Sequence, residues 1–128
     1  MSTLILGKLD IGPLLKAQAA LQEGIQIAKS NLEKTGAIQR FEFTYELAWK
    51  TMKRILAVRG IEVFSPKQTF RISAQEGLIK NPETWFEFVE IRNLTVHTYN
   101  EEMSEKIFLL LPKFAKELEQ FIQTILSL

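Results

Sequence analysis

The stretch EEMSEKIFLLLPKFAKELEQFIQTILSL, Glu101–Leu128, decides the fold class. Met103, Ile107, Leu110, Phe114, Leu118, Phe121, Ile125 and Leu128 recur at three- and four-residue spacings. That spacing draws one apolar stripe along an α-helix, sustained for about seven turns. A half-buried strand would alternate with a period of two instead. Pro112 lies inside the stripe. It removes a backbone donor and crowds the preceding turn, so a bend is expected there.

Working outward, the rest of the chain carries the same period. Pro13 suits a helix first turn, and Leu14, Leu21, Ile25, Ala28 and Leu32 follow at helical spacings. Thr35-Gly36 is the expected break. A second helix is predicted over Ile38–Arg59, stopped by Gly60. Phe41, Tyr45, Ala48, Trp49, Met52 and Leu56 form its main stripe, read as core rather than as a base-stacking platform. Phe43 and Leu47 widen that stripe, which predicts burial on more than one side. Ser65-Pro66 and Asn81-Pro82 each place a capping side chain before a proline at the first helical position. They open a short third helix, ending near Glu76-Gly77, and a fourth that carries Trp85, Phe88, Val89 and Arg92. The pattern loses phase within His97–Asn100, and Asn100 can cap the last helix. Leu4-Ile5-Leu6 is the sole strand candidate. The expected fold is all-α: four long helices and an extra short one, the ingredients of a helical bundle, in one domain over residues 1–128.

Composition bounds the function. At 128 residues the chain has room for one core. It has no cysteine and one histidine, which excludes zinc ribbons, iron–sulfur clusters, thiol nucleophiles and multi-histidine metal sites within one chain. Met1–Leu6 lacks a basic leader, and the longest apolar run, Ile107–Pro112, is far shorter than a bilayer span. No membrane association is expected, and the cytoplasm is the expected compartment. The formal net charge of +1 hides a split. Residues 1–80 hold 12 basic and 7 acidic side chains, net +5, and residues 81–128 hold 4 and 8, net −4. Charge runs are usually solvated faces. Lys50, Lys53 and Arg54 nevertheless offer a path for a polyanion.

The chemistry concentrates in Glu90-Ile91-Arg92-Asn93-Leu94-Thr95-Val96-His97-Thr98-Tyr99. Histidine exchanges a proton near neutral pH, and arginine stays charged and can fork two phosphate oxygens. Asparagine can orient an imidazole or a hydroxyl. These are the parts of metal-free RNA cleavage, in which a base activates the ribose 2′-hydroxyl and a cation stabilises charge on phosphorus. On a continuous helix Asn93 would face His97, and Arg92 would sit about 140° from His97 around the axis. The competing reading is structural: a histidine at a helix end, with Arg92 paired to Glu90 or to a neighbouring helix. An Arg–x4–His spacing alone does not separate the two.

Arg92-Asn93-Leu94-Thr95-Val96-His97-Thr98-Tyr99 resembles the R-x4-H-x-Y motif of the HEPN superfamily, and more closely the HepT-like, nucleotidyltransferase substrate-binding proteins. Gln39–Thr51 resembles that family's second-helix signature, and Ser65-Pro66-Lys67, Gly77-Leu78-Ile79 and Asn100-Glu101-Glu102 follow in the family's order. The likeness covers Leu14 to the C-terminus. It implies an up-and-down four-helix bundle that forms a homodimer, and a small MNT-type nucleotidyltransferase partner encoded nearby. Arg92 and His97 match the family's ribonuclease residues, and Asn93 matches a supporting polar residue. Tyr99 matches the tyrosine that the partner modifies with AMP. Asn100, Glu101 and Glu102 are candidates for the partner surface. No cofactor and no metal are implied. The alternative is a noncatalytic substrate-binding or regulatory subunit of a two-chain nucleotidyltransferase. A purely structural bundle is the third reading.

Overall fold

The computed structural model describes residues 3–128; Met1 and Ser2 lie outside the described residues. A two-stranded antiparallel hairpin, β1 (Leu4–Ile5) and β2 (Leu9–Asp10), pairs Leu4 with Asp10 and Ile5 with Leu9. Five helices follow: α1 (Gly12–Ile27), α2 (Asn31–Val58), α3 (Pro66–Gln75), α4 (Pro82–Leu94) and α5 (Glu101–Leu126). The fold is the expected all-α bundle. α2 lies at its centre and packs against each of the other four helices.

The hairpin is tied down at both ends of its turn. Ile5 and Ile11 are buried in the core. Asp10 accepts from the Thr3 hydroxyl and from the Gly12 N–H at 2.8 Å, and these bonds, the Thr3 one first, hold its carboxyl below the usual range.

The expected helix stops and starts recur at Gly60, Gly77, Ser65, Asn81 and Asn100. Gly60 and Gly77 both adopt φ +80°, a region that disfavours side chains. Past the first, Ile61 donates its N–H to the Leu56 carbonyl at 2.9 Å and Gly60 to Ala57 at 3.0 Å, which satisfies the last carbonyls of α2. Leu78 and Gly77 do the same for α3, at 2.9 and 3.2 Å. Ser65, Asn81 and Asn100 accept from the first-turn N–H groups of Gln68, Glu83 and Met103.

The α1–α2 junction differs from the expectation. The break falls at Ala28–Ser30, not at Thr35-Gly36. Ser30-Asn31-Leu32-Glu33 is a capping box: Ser30 Oγ accepts from Glu33 N at 3.1 Å, and Glu33 Oε1 accepts from Ser30 N at 2.9 Å. Two reciprocal bonds outweigh a single mid-helix glycine as a boundary signal. Leu32 therefore lies on the first turn of α2, 83% exposed, rather than on the α1 stripe. Gly36 is inside α2. Ser30→Ala is expected to cost about 1 kcal/mol, read as a lower urea midpoint at unchanged slope. Bonds from the Ser30 and then the Lys29 backbone N–H lower the Glu33 pKa. Its contribution is therefore full above the ordinary carboxylate value and is lost as pH falls through the lowered folded value. Glu33→Gln is expected to flatten the acid limb of a stability–pH curve.

An aromatic layer closes the bundle. Trp85 packs against Phe70 and Phe88, each at 5.2 Å between centroids, and against Phe114 at 5.9 Å and Phe121 at 6.2 Å. Phe41 meets Phe114 edge-on at 4.9 Å. α5 continues through Pro112 as one helix, burying Ile107, Leu111, Phe114, Leu118, Phe121, Ile122 and Ile125. Leu110, expected on the stripe, is exposed and Leu111 takes its place inside. Phe43 is also exposed, so α2 is buried on several sides but not on that one.

Candidate functional site

α4 delivers Arg92 and Asn93 in its last turn and ends at Leu94. A single 3₁₀ turn, Thr95–His97, and a short bend then lead to α5. The change of helix type has a local cause. Buried Thr95 donates its hydroxyl to the Arg92 carbonyl at 2.7 Å and accepts from Arg92 Nη1 at 3.0 Å. A threonine that bonds back to the preceding turn competes with helix continuation. Asn100 N–H donates to the His97 carbonyl at 3.0 Å, and buried Ser104 donates its hydroxyl to the Thr98 carbonyl at 2.9 Å. The junction is thus pinned from both helices.

His97 is consequently off the α4 helix, and the continuous-helix geometry does not hold. Among the described residues no hydrogen bond joins it to Asn93 or Arg92; its partner is Tyr99. His97 Nδ1 lies 3.0 Å from Tyr99 Oη, with the rings edge-on at 5.7 Å. Both side chains face solvent, Tyr99 at 83% exposure. Asn93 is exposed beside them in sequence.

Arg92 is turned toward α2. Its Nη1 lies 3.4 Å from Glu42 Oε2 and its Nε 3.7 Å from Glu46 Oε1. Glu46 also accepts the Trp49 indole N–H at 3.0 Å on its other oxygen, with Lys50 Nζ 3.9 Å away. Burial pushes the adjoining Tyr45 phenol up; the Glu46 charge adds to that and the Arg92 charge opposes it. Thr95, Glu42 and Glu46 were not singled out by the motif, although Glu42 and Glu46 stand four apart inside the second-helix signature.

The remaining candidates are dispersed. Lys50, Lys53 and Arg54 are exposed along α2. Asn100 caps α5, Glu101 bonds Asn31 across the α2 start, and Glu102 is exposed with Lys106 at 4.0 Å. Lys34–Glu105 at 2.6 Å and Lys67–Glu90 at 3.6 Å join the basic and acidic halves of the chain. A groove of about 740 Å³ between α1 and α2 is lined by residues that include Ala17, Ala20, Arg40 and Phe43, and no motif residue lines it. Among the described residues no His, Asp and Glu side chains group in threes to hold a metal, and no helix is long and apolar enough to cross a membrane.

A helical bundle that presents an Arg–His–Tyr motif at the junction of its last two helices defines the class of this protein. The chain belongs to the family described as nucleotidyltransferase substrate binding protein like, matched over residues 9–127. It is 36% identical over 87 residues to "Probable ribonuclease HepT" of Haemophilus influenzae, a match covering 64% of this chain and 60% of that protein. The matched region thus spans less than two thirds of that relative. Its fold superposes on the crystal structure of a protein from Thermus thermophilus with a TM-score of 0.82 at 37% identity, covering 88% of this chain and 98% of the other. A Haemophilus influenzae structure, described as revealing the fold of a substrate binding domain of a nucleotidyltransferase, gives 0.81 at 26% identity, covering 90% and 98%.

Proposed function

We propose that this chain is a HepT-like, metal-independent endoribonuclease that works as a homodimer and is silenced when a nucleotidyltransferase partner adds AMP to Tyr99. The observation that carries the reading is the solvent-facing His97, bonded through Nδ1 to Tyr99 Oη at 3.0 Å within an intact R-x4-H-x-Y motif. With Nδ1 engaged, Nε2 is the nitrogen left to meet substrate. A base needs a lone pair there, which requires the proton on Nδ1, donated to the tyrosine oxygen. His97 then takes the proton of a ribose 2′-hydroxyl as that oxygen attacks phosphorus. The 5′-oxygen leaves and takes a proton from water, giving a cyclic 2′,3′-phosphate and a 5′-hydroxyl. Arg92 stabilises the charge that develops on the phosphoryl oxygens, and Asn93 supports the site. A two-fold dimer would bring two such sets into one groove, along which Lys50, Lys53 and Arg54 would guide the strand.

The exposed Tyr99 hydroxyl beside His97 supports the modification. The Tyr99 oxygen attacks the α-phosphate of a nucleoside triphosphate, loses its proton and displaces pyrophosphate. The phosphodiester left beside His97 blocks RNA phosphate and occupies the groove. Purified chain is expected to cut single-stranded RNA in the presence of EDTA. Incubation with the partner and ATP is expected to add adenylate to wild type but not to Tyr99→Phe, and to stop cleavage only in wild type. Tyr99→Phe alone is expected to cut on the order of tenfold more slowly, the worth of one hydrogen bond to a group that becomes charged.

The family description favours a second reading, a noncatalytic subunit that binds substrate for the nucleotidyltransferase, with Asn100–Glu102 at the contact. Co-purification fits both readings, and RNA cleavage separates them. Failure of the purified chain to cut RNA leaves the second.

A further inference from the structure

We propose that Glu42 and Glu46 are positioning residues that aim the Arg92 guanidinium at its phosphate, an inference that rests on the ribonuclease reading. The two carboxylates stand one turn apart on α2, on the face turned to α4. They lie 3.4 Å and 3.7 Å from Arg92 Nη1 and Nε. Nε is buried and makes no hydrogen bond, so the carboxylate of Glu46 is what compensates it. Thr95 Oγ1 takes a further Nη1 proton at 3.0 Å. One edge of the guanidinium is therefore committed to the protein. Nη2 makes no hydrogen bond among the described residues and is the nitrogen left for a phosphoryl oxygen.

Glu46 is itself fixed. Trp49 donates its indole N–H to the outer oxygen at 3.0 Å, and Lys50 stands 3.9 Å from it. The chain of contact runs Trp49–Glu46–Arg92, from a half-buried ring on α2 to the motif on α4. This accounts for the second-helix signature and the Arg–x4–His motif lying in the same chain: one holds the cation of the other.

The charge balance sharpens the consequence. The Arg92 guanidinium and the Lys50 ammonium only balance the two carboxylates, so the clamp carries no net positive charge with which to bind a polyanion tightly. It restrains the arginine at the expense of ground-state attraction. Removing a carboxylate should therefore strengthen RNA binding and weaken turnover, a split that a merely structural ion pair between helices would not give.

The test uses the full chain with Glu46→Gln, Glu42→Gln and Trp49→Phe, on a single-stranded oligoribonucleotide. Glu46→Gln is expected to lower kcat tenfold or more while KM stays level or falls. Trp49→Phe, which frees the outer oxygen only, is expected to lower kcat two- to threefold. By NMR, the Arg92 Nε–H of wild type should exchange with water at least tenfold more slowly than that of exposed Arg54, and Glu46→Gln should remove the difference. Unchanged kcat in Glu46→Gln overturns the proposal, as does a rise in KM with kcat unchanged. Should wild type cut no RNA, the ribonuclease reading fails by itself, and the clamp is judged on the Nε–H exchange. Fast exchange in wild type overturns it; slow exchange that Glu46→Gln abolishes supports it.

Discussion

His97→Ala is expected to lower RNA cleavage by about 10²- to 10⁴-fold, the usual worth of a positioned acid–base group, with the fold unchanged. The size follows from the composition. The chain has one histidine, so no second imidazole can take over the proton. The stability side follows from exposure. His97 lies at the surface on a 3₁₀ turn, and the turn is held by backbone and by Thr95, Asn100 and Ser104 rather than by the ring. Removing the ring deletes its bond to Tyr99 and little else, so the urea midpoint should hold to within about 0.5 kcal/mol. The rate is to be measured on a defined oligoribonucleotide with excess EDTA, and the oligomeric state compared with wild type by light scattering. Equal rates for His97→Ala and wild type would remove His97 from the mechanism. Arg92→Ala is a less clean probe, because it leaves the Glu42 and Glu46 carboxylates facing each other without their cation.

Most helix boundaries were legible because single residues set them. Gly60 and Gly77 need positive φ, and Ser65, Asn81 and Asn100 need an oxygen beside free N–H groups. These demands are local, and local sequence states them. The α1–α2 break falls earlier than the apolar spacing places it, for a related reason. The apolar spacing runs on through Leu32, so periodicity alone draws one stripe across two helices, while the Ser30–Glu33 pair marks the boundary. On α5 the period drifts over 26 residues, which moves burial from Leu110 to Leu111. The motif gives the residue types at the junction but not their geometry. Thr95 ends α4 between Arg92 and His97, and the partners of Arg92 come from α2, about fifty positions earlier. Spacing within a helix carries no information on which distant helix face it meets.

Trp85→Ala is expected to cost about 3–5 kcal/mol, the range for truncating a fully buried large aromatic. Nine phenylalanines and two tryptophans make aromatic content a poor guide by itself, and position in the packing decides. Phe64 is 71% exposed, so Phe64→Ala should move stability by less than about 0.5 kcal/mol. Trp49 is half-buried and held by one hydrogen bond to Glu46, so Trp49→Phe should cost about 1 kcal/mol. Trp85 differs from both. Its ring meets Phe70 of α3, Phe88 of its own helix, and Phe114 and Phe121 of α5, so one side chain joins three helices. Alanine leaves a cavity among rigid rings, which cannot collapse without shifting α3 or α5. Domain stability is typically 5–15 kcal/mol, so the loss is a large share of the total. It should appear in urea melts as a lower midpoint with the slope preserved, and Trp85→Phe should recover a substantial part. A loss below about 1 kcal/mol would mean that the α3–α4–α5 layer is loosely packed. The consequence reaches the site, because α4 carries Arg92 and is anchored to the bundle through Trp85. A fall in cleavage by Trp85→Ala that tracks the unfolded fraction is the expected signature of that anchoring, in contrast to His97→Ala, which should silence a fully folded chain.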